Sequence, residues 1–141
     1  MKFFILGIIT CFFSPVNAGT PVDLKECLVA LDNYLSPEDQ NEMLAYDESS
    51  LMLAYDLSLG NYIRNNWNLY DDEAQLVVYF NDMCIREPRQ MSNIILVSYH
   101  RMKSKKLVNL GEQISSLIGE KEFKKCGGYL HHDVERLDFT D

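Results

Sequence analysis

Apolar side chains recur at intervals of three and four residues along most of this sequence, and that spacing is the strongest constraint on its fold. A period near 3.6 residues places side chains on one face of an α-helix, whereas a half-buried strand alternates every second residue. We therefore predict an all-α domain, a compact bundle of about five to six helices. The first stripe consists of Leu24, Cys27, Leu28, Leu31, Tyr34 and Leu35.

Residues that favour helix starts divide the chain at short intervals. Thr20-Pro21-Val22-Asp23 predicts an N-cap hydroxyl at Thr20 with Pro at the first helical position, and Ser36-Pro37 repeats the pattern. Further starts are predicted at Asp47 or Ser49, at Asp71-Asp72-Glu73, at Pro88 and at the capping box Asn109-Leu110-Gly111-Glu112. The run Ile94-Ile95-Leu96-Val97 also suits a buried strand, but its length and Pro88 favour a helix.

The predicted third helix has two apolar faces. Leu51, Tyr55 and Leu59 belong to one face, and Leu53 and Leu57 continue through Gly60 and Arg64 on the other. A helix with two such faces is expected to lie centrally, with neighbours on both sides. Because glycine costs about 1 kcal/mol in a helix interior, we expect a close helix contact at Gly60.

The first eighteen residues have the layout of a secretory signal. Lys2 gives a positive start, Phe3–Phe13 is an apolar stretch of eleven residues, and Val16-Asn17-Ala18 predicts cleavage after Ala18. Since a membrane-spanning helix needs about 20 apolar residues, we expect no stable membrane anchor. An alternative is lipidation of Cys11, although Thr10 is a poor residue before that cysteine.

After removal of this signal, we expect a periplasmic or secreted protein that consists of two segments. We predict a helical domain over residues 19–125 and a C-terminal tail over residues 126–141, which begins with the helix-breaking Cys126-Gly127-Gly128.

The chain has 13 Lys and Arg against 21 Asp and Glu, a net charge of −8. A nucleic-acid partner needs Lys and Arg to displace its counterions, so nucleic-acid binding is not expected.

Three cysteines follow the predicted cleavage site, namely Cys27, Cys84 and Cys126. An odd number allows at most one internal disulfide and leaves one thiol. A Cys27–Cys126 bridge would tie the tail to the first helix and close a long loop, which constrains the unfolded chain most. The alternative is that all three are reduced and that Cys27 is a core residue.

Arg64, Asn65, Asn66 and Trp67 form the first candidate binding cluster, at the end of the predicted third helix. Trp and Arg are favoured at recognition sites. The alternative is a structural clamp in which an Asn caps the helix, Trp67 fills the core and Arg64 pairs with a carboxylate. Asp71, Asp72 and Asp82 are the candidate partners, because an unpaired buried charge is costly.

Ser98-Tyr99-His100-Arg101 is the second cluster. Residues two apart on a helix do not face each other, so Ser98 and His100 are not expected to form a catalytic pair. His100 and Arg101 could instead join Arg64 in one polar pocket for an anion.

His131, His132, Asp133 and Glu135 are metal-type residues near the C-terminus. Adjacent histidines in an extended chain point in opposite directions, and a closed zinc site wants four spaced ligands. We interpret this segment as a solvated tail. We predict no catalytic residue, no bound metal and no cofactor.

The stretch Ser58–Tyr70, with its Ile63-Arg64-Asn65-Asn66-Trp67 core, is followed by Pro88, Met91-Ser92-Asn93-Ile94-Ile95-Leu96 and His100-Arg101. Over Leu35 to Gln113 this pattern resembles a bacterial family known as a domain of unknown function. The resemblance implies a bacterial, periplasmic protein and supplies no activity. The chain departs from it at Arg89-Gln90, where acids are expected, and at Cys84, where Gly is expected. The second departure indicates that Cys84 is incidental and free.

Together these features favour a non-catalytic binding module whose partner is another protein. The alternative is a small hydrolase-like or anion-binding enzyme with a pocket around Arg64 and Arg101. Convergence of the two guanidinium groups in one cleft would favour the enzyme, whereas a separate carboxylate partner for each would favour a scaffold role.

Overall fold

The computed structural model of the chain describes residues 19–127, which form helices and the turns that join them. No strand occurs in that range, which confirms the all-α prediction, and no helix in it is long and apolar enough to cross a membrane. The elements are α1 (Leu24–Tyr34), α2 (Pro37–Leu44), α3 (Glu48–Tyr55), a π-helical segment (Asp56–Gly60), α4 (Asn61–Asn66), α5 (Gln75–Asp82), α6 (Pro88–Lys103), α7 (Leu110–Ile118) and α8 (Glu120–Lys125).

The predictions for residues 1–18, and those for the metal-type residues His131–Glu135, lie outside the described residues. Within residues 19–127, α3, the π segment and α4 follow one another without a break and act as one long helix. Counted so, the described part of the chain has seven helices. The helix beyond the predicted five to six is the short α8, which follows Gly119.

Helix α6 is the centre of the bundle. It packs against α1, α2, α3, the π segment, α4 and α7. Its buried residues include Met91, Ile94, Ile95, Leu96 and Tyr99, so the apolar run that could have been a strand lies in the middle of a helix. Burial on most of its circumference makes α6, and not the predicted third helix, the element with neighbours on several sides.

One of the two apolar faces predicted for the third helix is wrong. Leu51 and Leu59 are buried as predicted and Tyr55 is partly buried, but Leu53 is 90% exposed and Leu57 is 86% exposed. The π segment between α3 and α4 explains the error. A π turn contains more residues than an α turn, so it rotates α4 relative to α3, and the spacing from Leu53 to Arg64 does not follow one face.

Caps account for most of the helix starts. Ser36, Asp47 and Asn109 cap α2, α3 and α7 as predicted. The predicted cap at Thr20 is wrong, because α1 begins three residues later with Asp23 as its N-cap. There Asp23 Oδ1 accepts from the Glu26 backbone N–H at 2.8 Å, and Glu26 Oε2 accepts from the Val22 N–H at 3.0 Å. The Asp–Glu pair thus satisfies two backbone donors at the start of α1.

The predicted Cys27–Cys126 bridge is wrong, and so is the expectation that Cys84 is free. The disulfide joins Cys84 to Cys126, with Cα atoms 6.2 Å apart. Cys27 has a free thiol and is completely buried on the core face of α1. Cys126 directly follows α8, none of whose residues is buried, and Cys84 lies in the loop between α5 and α6. The bridge fixes the first residue of the predicted tail to the helical domain.

Candidate functional site

Arg64 is the centre of a buried polar cluster that also contains Asp56, Ser92 and Arg89. Only 8% of its side chain is exposed. Nη1 donates to Asp56 Oδ1 at 2.9 Å and to Ser92 Oγ at 2.8 Å, and Nη2 donates to the Asp56 backbone carbonyl at 2.9 Å. The guanidinium is therefore neutralised by a carboxylate, as an interior charge requires.

The partner of Arg64 is Asp56, and the predicted partners Asp71, Asp72 and Asp82 are wrong. Asp56 lies eight residues earlier on the same long helix, a spacing that spans about 12 Å in a regular α-helix. Two features close this gap. Helix side chains lean toward the N-terminus, so Arg64 reaches back along its own helix. The π segment begins at Asp56 and changes its orientation relative to α4.

Arg89 completes the cluster from the first turn of α6. Its Nη2 donates to Asp56 Oδ2 at 2.6 Å, so one carboxylate bridges two guanidinium groups. Ser92 accepts from Arg64 and donates to the Arg89 backbone carbonyl at 3.0 Å. Because 70% of the Arg89 side chain is exposed, this second ion pair lies at the surface, above the buried one.

Arg101 belongs to a separate cluster near the other end of α6. Its Nε donates to Glu48 Oε2 at 3.0 Å, its Nη2 donates to Oε1 of the same carboxylate, and its Nη1 donates to the Val108 carbonyl at 2.8 Å. The hydrogen bonds from Arg101 to the Glu48 carboxylate lower the pKa of Glu48, although partial burial of Glu48 opposes the shift. The same hydrogen bonds raise the pKa of Arg101.

The structure does not bring Arg64 and Arg101 together in one pocket. Arg64 contacts α6 at Ser92, which lies nine residues before Arg101. At 100° and 1.5 Å per residue, those positions are on opposite faces of the helix and about 13 Å apart along its axis. Each guanidinium instead has its own carboxylate, Asp56 or Glu48. The anion pocket predicted for the enzyme alternative is therefore not formed.

His100 is buried and is also placed away from Ser98. Its Nε2 lies 2.9 Å from the Tyr46 carbonyl, an acceptor, so Nε2 carries the proton of this hydrogen bond. Its Nδ1 is buried without a partner among the described residues. Ser98 Oγ accepts from Gln113 Nε2 at 3.1 Å. The two side chains thus have different partners.

Trp67 takes the position of the structural alternative, but neither Asn65 nor Asn66 caps α4, whose C-cap is Trp67. Asn65 and Asn66 are exposed, and their side-chain amides donate at 2.9 Å to the carbonyls of Asn61 and Tyr62, one turn earlier. Trp67 is only 7% exposed and packs in the core. Of these residues, Trp67 attaches α4 to the bundle, and the indole is not open to a partner.

A groove of about 410 Å³ lies over the buried polar cluster. Asp56 and Arg64 are on its floor, Leu57, Tyr70 and Pro88 give it apolar walls, and Glu87 and Arg89 belong to its rim. Tyr70 is 64% exposed. Leu53 lies one helical turn before Leu57 on the same side of the long helix. We call Leu53, Leu57 and Tyr70 together the apolar surface.

Sequence reasoning missed the apolar surface, since it assigned Leu53 and Leu57 to the interior. The residues beside Leu57 give no signal of its exposure, because Asp56 is itself buried and residues one apart on a helix lie on different faces. Among residues 19–127, no group of three or more His, Cys, Asp or Glu side chains is arranged to hold a metal ion.

The sequence model of a family described as a domain of unknown function, DUF6794, matches residues 20–103. The match covers α1 to α6, together with the buried polar cluster, and ends before α7 and α8. It begins earlier and ends earlier than the range Leu35–Gln113 that the resemblance indicated. No curated protein and no solved structure matches the chain.

Proposed function

The chain belongs to the DUF6794 family of domains of unknown function, and on that premise we propose that it is an exported, non-catalytic module that binds another protein. The observation that carries the proposal is the exposure of Leu53 and Leu57, at 90% and 86%. Burying one such side chain contributes about 1.5–3 kcal/mol. Two of them beside a groove therefore offer a contact area for a partner.

The hydrogen-bond partners of the polar side chains inside the domain support a binding role over a catalytic one. Arg64 and Arg101 are each held by a carboxylate and by further hydrogen bonds. Ser98 is bonded to Gln113, and His100 to the Tyr46 carbonyl. A nucleophile needs a base within hydrogen-bond reach, and Ser98 is bonded to an amide and not to His100.

The disulfide supports the exported part of the proposal. Structural disulfides persist in oxidising compartments such as the periplasm and are rare in the cytosol. The Cys84–Cys126 bridge links the loop between α5 and α6 to the residue that follows α8, so it is a structural disulfide of the described domain. The charged start and the short apolar stretch of residues 1–18 suit a cleaved leader. The proposed address is periplasmic or secreted, and the resemblance favours a bacterial source.

Site-specific photocrosslinking in the native cell tests the binding role. A photoreactive residue at position 57 is expected to crosslink to one partner protein, which is then purified and titrated with this chain. The matched control is position 107, because Leu107 is also apolar and 78% exposed but lies beyond α6. No adduct at position 57, or the same adducts at both positions, would contradict the proposal. The mass of the extracted protein tests export, and a chain that begins at Gly19 is expected.

A further inference from the structure

We infer that the partner presents a basic, amphipathic segment to this domain, with an apolar side chain that enters the groove and Lys or Arg residues that face the exposed acids beside it, Asp71, Asp72, Glu73 and Glu87. This inference rests on the proposed binding function and names the chemistry of its partner. It is drawn from the apolar surface, from the charges beside it and from the distribution of charge along the chain.

The lining of the groove suits an apolar side chain. Its walls are Leu57, Tyr70 and Pro88, and it is a shallow groove of about 410 Å³ that is open to solvent. The floor is a satisfied ion pair, in which Asp56 and Arg64 are held by each other and by Arg89 and Ser92. Because those charges are already paired, the groove can take an apolar group without leaving a buried charge unpaired.

Acidic side chains border the apolar surface. Asp71, Asp72 and Glu73 directly follow Tyr70 and are exposed, and Glu87 is exposed on the rim of the groove. None of the four has an ion-pair partner among residues 19–127. The nearby Arg89 is engaged by Asp56. A partner with Lys or Arg beside its apolar residue would therefore meet carboxylates that are free to pair.

The charge along the chain extends this local pattern. Residues 19–82 contain two Lys or Arg and thirteen Asp or Glu, whereas residues 83–127 contain nine Lys or Arg and four Asp or Glu. The apolar surface lies entirely within the acidic part. Exposed acids near the groove attract cations and accelerate their encounter with it.

Two other occupants fit these charges less well. A second copy of the chain that docked through the same face would place these acids against each other, and like charges across an interface repel. The chain's own residues 128–141 contain four acidic side chains and one Arg, so the same acids would repel them. A basic segment is the occupant for which both the apolar and the charged parts of the surface are complementary.

A pair of synthetic peptides tests the inference. The first is a Leu/Lys amphipathic helix of about 18 residues, and the second has Glu in place of each Lys. Calorimetric titration of the purified protein is expected to show binding of the Lys peptide, weaker binding at high salt, and no binding of the Glu peptide. Leu57→Asp and the triple change Asp71→Asn, Asp72→Asn, Glu73→Gln are each expected to weaken the complex about tenfold or more.

Leu107→Asp is the matched control, since it places the same charge at an exposed leucine outside the apolar surface. Equal losses for Leu57→Asp and Leu107→Asp, or equal binding of the two peptides, would overturn the inference. So would a wild-type dimer that Leu57→Asp converts to a monomer, because the occupant would then be a second copy. A non-basic partner crosslinked at position 57 would defeat the inference but leave the binding function standing. No partner at that position would defeat both.

Discussion

Gly60 lies one turn before Arg64 on the same helix, and the Arg64 guanidinium occupies the space that a side chain at position 60 would take. A Cβ atom on residue 60 would stand 3.1 Å from Arg64 Nη1 and 3.3 Å from the Tyr55 carbonyl oxygen. The carbonyl belongs to the backbone, and Arg64 is held by Asp56 and Ser92. Neither neighbour can move freely. The glycine expected to permit a close helix contact instead makes room for a buried ion pair.

Gly60→Ala is expected to destabilise the protein by about 1–3 kcal/mol. In an unhindered helix the same change would stabilise it by about 1 kcal/mol, so the sign of the effect distinguishes the two cases. Urea unfolding followed by circular dichroism measures it. Ser58→Ala is the control, because Ser58 is exposed in the same π segment. A Gly60→Ala protein that unfolds at higher urea than the wild type would show that the space is not needed.

Asp56→Asn is expected to cost about 3–5 kcal/mol, because it leaves the Arg64 guanidinium buried without a countercharge. Arg89→Gln removes the other ion pair of the same carboxylate, at a side chain that is 70% exposed, and is expected to cost no more than about 1 kcal/mol. Urea midpoints of the two variants give the comparison. Similar losses would contradict the expected difference, because the buried and the exposed pair would then contribute equally.

The helices could be predicted from the sequence because apolar spacing and capping residues act locally. Ser36, Asp47 and Asn109 each bond to a backbone N–H three residues later, and such short-range chemistry is visible in the sequence. The π segment could not be predicted in this way. Its extra residue leaves the apolar spacing intact but rotates α4 relative to α3, so Leu57 and Arg64 were placed together on one buried face.

The Arg64–Asp56 pair could not be predicted because it depends on the π segment, and the Cys84–Cys126 bridge could not be predicted because it depends on contacts between loops. Among three cysteines, the pairing depends on which loops meet in space, and sequence alone does not determine connectivity. Cys84 has a backbone φ of +62°, a conformation that glycine adopts easily and other residues rarely do. This gives a physical reason for the Gly that the resemblance expects there. In this chain a cysteine takes that conformation and is bonded to the end of α8.

Variants at Cys84 separate the contribution of the bridge from that of the backbone. Cys126→Ser and Cys84→Ser both remove a disulfide between residues 42 apart and are expected to cost about 2–4 kcal/mol. Cys84→Gly also removes it but relieves the positive φ, so it is expected to be about 1 kcal/mol more stable than Cys84→Ser. Urea unfolding measures the difference, and a non-reducing digest with mass spectrometry identifies the linked peptides. A Cys27-containing linked peptide in the wild type would contradict the pairing.

Protonation of Glu48 is expected to weaken the domain in acid. Hydrogen bonds from Arg101 lower the pKa of Glu48 in the folded state below its ordinary value, despite the opposing effect of partial burial. A carboxylate with a depressed folded pKa stabilises the protein above its unfolded pKa of about 4.3, and this stability is lost as the pH falls through the folded pKa.

The free energy of unfolding, measured from pH 7 down to pH 3, should therefore fall more steeply in the wild type than in Glu48→Gln. The two curves should approach each other at the acid end, because the wild-type carboxyl is then also neutral. Glu38→Gln is the control, since Glu38 is exposed and has no ion-pair partner in residues 19–127. Its curve should run parallel to that of the wild type. A constant difference between wild type and Glu48→Gln at every pH would show that Glu48 acts through packing and not through its charge.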